Sequence, residues 1–291
     1  MRRLKDIYES ILDDKFASDK NVDHQLQREI VLKWIQDNYT LAPHKLKIFK
    51  RPNKDGKLIV DYDANIYPLT LKLDAKSITN DFFIWRNVKG EFNCSGNGNI
   101  QNMNGAPSNV HNIHIAGCTN LTTLEGGFNT CNHFKIRHCP KITNLKGVPN
   151  SYSSLTCEHC ENLTSIEGCP EKTHEFVIRS CGVTSLKGGP KKCDIFAIKD
   201  CPIQSLEYAP DATRTFNCTG CNIISLKGAP KKVEFFDCSG NPNLRSLKYA
   251  PEAGSRFACH DCGVRFEKEE ILKISPKLED LLQNTFYGIQ N

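Results

Sequence analysis

The sequence predicts an α/β solenoid in which a unit of 20 to 21 residues repeats along the chain. Each copy adds one short parallel strand to a common sheet, and caps close both ends. Three observations carry that expectation. An aromatic or aliphatic anchor recurs at fixed spacing at Phe92, Ile113, Phe134, Leu155, Phe176, Phe196, Phe216, Phe236 and Phe257. Five residues after each anchor stands only asparagine or cysteine: Asn97, Cys118, Cys139, Cys160, Cys181, Cys201, Cys221, Asn241 and Cys262. Most units then close on proline, at Pro107, Pro149, Pro170, Pro190, Pro210, Pro230 and Pro251.

Within a unit, the residue two after the anchor is Cys94, Ile115, Ile136, Cys157, Ile178, Ile198, Cys218, Cys238 or Cys259. Anchor and anchor plus two therefore alternate as the inward residues of a short strand. The asparagine or cysteine column stands where the chain turns inward, so its polar group must bond neighbouring backbone. A later apolar pair, such as Leu121 with Leu124 or Ile223 with Leu226, and the closing proline line the opposite side. The unit is too short for a full helix there, and extended or 3₁₀ structure is expected. This is the leucine-rich-repeat pattern L-x-x-L-x-L-x-x-N/C-x-L at its short end. It predicts a leucine-rich-repeat horseshoe with a parallel β-sheet on the concave face and a mostly non-helical convex side.

In chain order, residues 1–70 read as a helical and β-hairpin cap. Leu4, Ile7, Tyr8, Ile11 and Leu12 share one helical face, and Val22 to Asn38 continues with Leu26, Ile30, Trp34 and Ile35. Strands over Lys45 to Phe49 and Leu58 to Tyr62 flank a Pro52 to Gly56 turn. Residues 71–263 form the solenoid. Leu69, Leu71 and Leu73 alternate before it, and Leu71 lies one period ahead of Phe92, which marks it as the anchor of a degenerate first unit. Residues 264–291 read as a helical cap of two short helices, Glu267 to Ser275 and Lys277 to Asn284, joined at Pro276.

With 291 residues, 39% hydrophobic and 24% charged, the chain can bury a continuous core. A net charge of +5 is small for this length, so nucleic acid or an acidic membrane is not expected as the main partner. The first residues lack the apolar stretch of a secretory signal, and no run approaches about 18 apolar residues. The fifteen cysteines are accordingly expected as reduced thiols in a cytoplasmic protein.

Three C-x-x-C motifs, at Cys157/Cys160, Cys218/Cys221 and Cys259/Cys262, would ordinarily suggest zinc or a redox dithiol. The repeat phase sends both cysteines of each motif into the interior. They are read as packing residues, with no metal and no cofactor. Cys131, Cys169 and Cys193 fall outside the inward columns, where greater exposure is an alternative, and are read as packing residues in loops.

The same phase lays out the face of the sheet. His133, Lys135, Arg137, His138, Arg179 and Lys199 form a mildly basic centre, with Glu158 and His159 among them. Val177, Ile195 and Phe235 are apolar residues expected to face solvent, and Asp237 adjoins Phe235. Arginine and aromatic side chains on a rigid surface suit a protein-binding face. No Ser/His/Asp set, phosphate loop or carboxylate pair is brought together, so an enzyme is not expected.

The phrases LTSIEGCP (163–170), VTSLKGGP (183–190) and IISLKGAP followed by KKVEFFDCSGN (223–241) resemble the short bacterial leucine-rich repeats. Those occur in secreted effectors of pathogenic bacteria and, in closely similar wording, in proteins of tailed bacteriophages. The phage form looks nearer: Trp34 and Tyr39 precede a short β segment, then Val88, Gly90, Phe92 and Cys94. The resemblance implies a non-enzymatic scaffold that binds a host or phage protein in the bacterial cytosol. It also leaves open a structural virion or assembly component, and an effector-like recognition module working with a separate enzyme. Some such effectors carry a ubiquitin ligase domain with a catalytic cysteine after the repeats. No cysteine follows Cys262, so that activity is not implied here.

Overall fold

Alternating apolar and polar residues around each anchor build one strand per repeat, and the strands stack. A computed structural model of the chain describes residues 24–41, 43–49, 57–68 and 83–279. Helix α1 (His24–Asn38) leads into β1 (Tyr39–Thr40), a 3₁₀ turn (Pro43–Lys45), β2 (Leu46–Ile48), β3 (Leu58–Tyr62) and β4 (Tyr67–Pro68). The array follows: β5 (Phe83–Asn93), β6 (Val110–Ala116), β7 (His133–Arg137), β8 (Ser154–Glu158), β9 (Lys172–Arg179), β10 (Lys192–Lys199), β11 (Asp211–Asn217), β12 (Lys232–Asp237) and β13 (Glu252–Ala258). Helix α2 (Lys268–Ile274) comes last. One 11-stranded sheet runs from β13 through β5 in strict sequence order, then to β3 and β2, and β1 pairs separately with β4. The fold is a parallel β-sheet solenoid of about nine turns with little helix.

The register matches the period. Anchor pairs with anchor at every step, from Phe92 with Ile113 through Phe216 with Phe236 to Phe236 with Phe257. All nine anchors are buried, and Phe176, Phe196, Phe216 and Phe236 are wholly so. Their rings form a spine, with centroids 5.9, 5.1, 6.1 and 5.1 Å apart from Phe176 to Phe257. Each such aromatic pair adds about 0.5–1.5 kcal/mol beyond area burial.

Cys131 and Cys193 are buried, which sets aside greater exposure and agrees with packing, and Cys169 is half-buried. The cause is a break in strand alternation. Three residues before the anchor lies another inward column, containing Val110, Cys131, Tyr152, Cys193 and Val233. Two successive outward residues, such as Asp194 and Ile195, separate it from the anchor. The strand pairing shifts at this point between Cys193 and Ile195 and between Val233 and Phe235. An irregularity of this kind resets the facing of a strand, so an odd separation places both residues inside.

The asparagine and cysteine column closes each turn by hydrogen bonding. Cys201 Sγ donates to Lys199 O at 3.2 Å, Cys181 Sγ to Arg179 O at 3.3 Å and Cys221 Sγ to Thr219 O at 3.5 Å. Asn241 does more: Nδ2 donates to Cys238 O at 2.7 Å and Cys218 O at 3.0 Å, while Oδ1 accepts Ile223 N–H at 3.1 Å. The residue just before each of these closing side chains has positive φ in every turn. It is glycine in four turns and His138, His159, Ser180, Asp200 or Asp261 in the others, with φ of 50–54°.

A second positive-φ column bends the chain back toward the sheet at Gly105, Gly126, Gly147, Gly168, Gly188, Tyr208, Gly228 and Tyr249. At Gly168 φ is 109°, and a Cβ would stand 2.7 Å from Leu145 O, so the neighbouring turn leaves no room for a side chain. Tyr208 and Tyr249 stay closer to the ordinary left-handed region, at 69° and 73°.

At the amino-terminal end, β2 and β3 form the expected antiparallel pair, and β3 continues into the main sheet by pairing parallel with β5. The sheet therefore runs without a break across residue 70. Tyr39 Oη donates to Gly105 O at 2.6 Å, and its ring meets Trp85 edge-on at 5.6 Å. Ile66 bridges to Phe92 and is fully buried, and Asn97 Nδ2 donates to Pro68 O at 2.7 Å. The expected helix at residues 4–12, the turn at 52–56 and the Leu69/Leu71/Leu73 alternation lie outside the described residues. At the other end, α2 matches the expected first helix, Ser275 Oγ accepts Ala253 N–H at 2.8 Å, and Leu278 is buried. Most of the expected second helix also lies outside the described residues.

Candidate protein-binding face

Outward residues of successive strands fall into three aligned rows. One row runs His133, Ser154, Glu175, Ile195, Thr215, Phe235, Arg256. The next runs His114, Lys135, Thr156, Val177, Ala197, Asn217, Asp237, Ala258. The third runs Ala116, Arg137, Glu158, Arg179, Lys199. With strands about 4.8 Å apart, Arg137 and Lys199 stand about 14 Å apart across the sheet. The two helices make their main contacts at the ends, α1 with β1 and α2 with β13.

The register gathers Lys135 and Arg137 on β7, Arg179 on β9 and Lys199 on β10 within a span of four neighbouring strands. Arg179 Nε approaches Asp200 Oδ2 at 3.5 Å. Among the described residues, no ion pair forms at Lys135, Arg137 or Lys199. Elsewhere Lys146 pairs with Glu167, Lys191 with Glu171, Lys227 with Glu207 and Lys232 with Glu252, each across neighbouring turns, while Lys187 and Lys248, in the same column as Lys146 and Lys227, form no ion pair among the described residues.

His138 and His159 are neighbours, as the repeat phase implies. Their rings stack with centroids 4.8 Å apart and planes 2° from parallel, and both are exposed. His133 is exposed with Nδ1 2.7 Å from Ser154 Oγ, while Glu158 is half-buried. Asp237 Oδ1 accepts Ser239 N–H at 3.0 Å, which holds that carboxylate at the strand end. Val177 and Ile195 adjoin the buried Ala197 to make a small apolar strip, and Phe235 lies two strands beyond Ile195. All three expected solvent-facing residues, Val177, Ile195 and Phe235, are half-buried, because flanking side chains on a flat sheet cover part of each.

The large apolar groups with the most exposure in the array lie elsewhere: Tyr208 at 64%, Ile224 at 56% and Tyr249 at 53%. They sit in the connecting segments. The sequence carried a signal for the tyrosines, since both occupy a column that is otherwise glycine from Gly105 to Gly228. A bulky residue at left-handed φ costs about 1–3 kcal/mol and recovers little here by burial.

Of the C-x-x-C cysteines, Cys157, Cys160, Cys218 and Cys221 are buried, whereas Cys259 and Cys262 at the end of the array are half-buried. Burial pushes Cys221 up to about 11 and raises Cys218 well above the ordinary thiol value. Among the described residues, no group of three or more His, Cys, Asp or Glu side chains is placed to hold a metal ion. No helix among them is long and apolar enough to cross a membrane.

No family model matches the chain, and no curated protein or solved structure matches it significantly.

Proposed function

We propose that this is a leucine-rich-repeat scaffold without enzymatic activity, which binds another protein through the open face of β7 to β12. The carrying observation is the alignment on one face of Lys135, Arg137 and Lys199, which form no ion pair among the described residues, with the apolar Val177, Ile195 and Phe235. Unpaired cations beside Val177, Ile195 and Phe235 suit an acidic partner surface with an apolar patch, since charge steers the encounter and apolar contact holds the complex. Nucleic acid is disfavoured, because Glu158, Glu175 and Asp237 interrupt the basic rows. On the resemblance of its repeats, the chain is a phage-type protein working in the bacterial cytosol on a host or phage protein. A structural virion role and an effector-like module serving a separate enzyme are the competing readings.

The test is capture from bacterial lysate, with the wild-type chain beside an Arg137→Glu, Phe235→Glu double variant whose thermal melt confirms folding. Loss of one protein from the variant eluate supports the reading. Identical eluates would refute the sheet face, and ordered self-association of the purified chain would favour the virion role.

A further inference from the structure

Sulfur atoms of this solenoid also pair across turns, between cysteines that no C-x-x-C motif joins. Cys118 Sγ lies 3.5 Å from Cys94 Sγ, and Cys181 Sγ lies 3.9 Å from Cys157 Sγ. In each pair the closing cysteine of one turn meets the strand cysteine of the turn before, 24 residues earlier. Cys238 and Cys262 have the same spacing and the same roles, and Cys262 Sγ also points at Cys238 O, 3.5 Å away.

What separates the third pair from the other two is access. Cys94, Cys118, Cys157 and Cys181 are at most 4% exposed, because a further turn covers each. Cys262 closes the last turn of the sheet, has no strand beyond it, and is only half-buried, while Cys238 behind it is wholly buried. We infer that Cys262 and Cys238 form an oxidant-sensitive dithiol that closes to a disulfide on reaction with a hydroperoxide and so fastens the last turn to the one before it.

The chemistry balances with the peroxide as oxidant. The Cys262 thiolate attacks one peroxide oxygen, the O–O bond breaks, and the departing hydroxide takes a proton to leave as water. The resulting sulfenic acid is attacked by Cys238 sulfur, which gives up its proton as a second water leaves. Two thiols and one hydrogen peroxide become one disulfide and two waters. The neighbouring Cys238 thiol holds Cys262 below the usual thiol range while Cys262 and burial hold Cys238 above it, so attack begins at the accessible sulfur. Cys259, the other half of the C-x-x-C motif, is pushed up to about 12 by burial. The sulfurs must close to about 2.0 Å, so the bond requires the last turn to move toward the one before it.

The experiment exposes the full chain to hydrogen peroxide, blocks remaining thiols with iodoacetamide in denaturant, and maps tryptic peptides by mass spectrometry. A Cys238–Cys262 bond links two peptides, because Arg245, Lys248 and Arg256 lie between the cysteines. A Cys259–Cys262 bond stays within one. The expected first product is the cross-link, with Cys94, Cys118, Cys157 and Cys181 still alkylated. Cys259→Ser keeps the cross-link, and Cys262→Ser abolishes it. An intrapeptide Cys259–Cys262 bond would overturn the inference. So would equal oxidation of the buried pairs, or Cys262 passing to sulfinic acid without a cross-link.

Discussion

Replacing Asn241 with alanine tests how the turns are held closed. Asn241 is fully buried, and its amide serves Cys218 O, Cys238 O and Ile223 N–H. Alanine leaves two carbonyls and one N–H in the core without that partner. A buried polar group left unsatisfied costs about 1–3 kcal/mol, and relaxation recovers part of the sum, so the expected loss is about 3–5 kcal/mol. That is a large share of the roughly 5–15 kcal/mol that holds most domains folded. Cysteine fills the same column in most other turns and keeps a weak donor for the carbonyls, while giving Ile223 N–H a poor acceptor. Asn241→Cys should therefore cost about 1–2 kcal/mol. Urea denaturation followed by circular dichroism reads both. An alanine variant within about 1 kcal/mol of wild type, or a cysteine variant as damaged as alanine, would refute this account of the column.

Tyr208→Gly and Tyr249→Gly should each stabilise the fold by about 0.5–1 kcal/mol, because release from left-handed φ outweighs the entropy glycine adds to the unfolded chain. A loss above about 1 kcal/mol in the same urea assay would show that the rings pack. Gly168→Ala should cost about 2 kcal/mol or more, since φ is 109° and the new Cβ meets Leu145 O; a melt unchanged from wild type would contradict the close approach. Native labelling with iodoacetamide at about pH 8 should reach Cys262 first. Its thiolate is favoured, whereas burial pushes Cys131 and Cys193 up to about 12 and leaves almost no thiolate at that pH. Faster labelling of Cys131 or Cys193 would contradict their burial.

The repeating part of this fold was legible because a fixed period makes one turn a coordinate system for all. Phe236, Cys238 and Asn241 in one copy locate the buried residues of the others, and the outward rows follow from them. What the period concealed is where strand alternation breaks. The inward column at Cys131 and Cys193 is an odd number of residues from its anchor, and a strict two-residue period sends it outward. Backbone conformation was concealed as well. Gly220 or Gly240 hints at positive φ, but His138, Ser180 and Asp200 reach the same region only because the packed turn demands it. At the amino-terminal end the bridge from Ile66 to Phe92 carries no periodic signal, because Ile66 lies 26 residues before that anchor. The rows of the sheet face were readable in order, but not in exposure: Phe235 is shielded by its neighbours, while Tyr208 and Tyr249 stand clear in the connections.

Site-specific photo-crosslinking shows directly which surface meets the partner. A photoreactive residue is placed at Lys199 on the sheet, and in a second variant at Lys146 on the connecting edge. Both are then irradiated in bacterial lysate. Cross-linking of one protein from position 199 and none from position 146 is the predicted result. Cross-linking from position 146 alone would place the partner on the edge and contradict the sheet as the binding face.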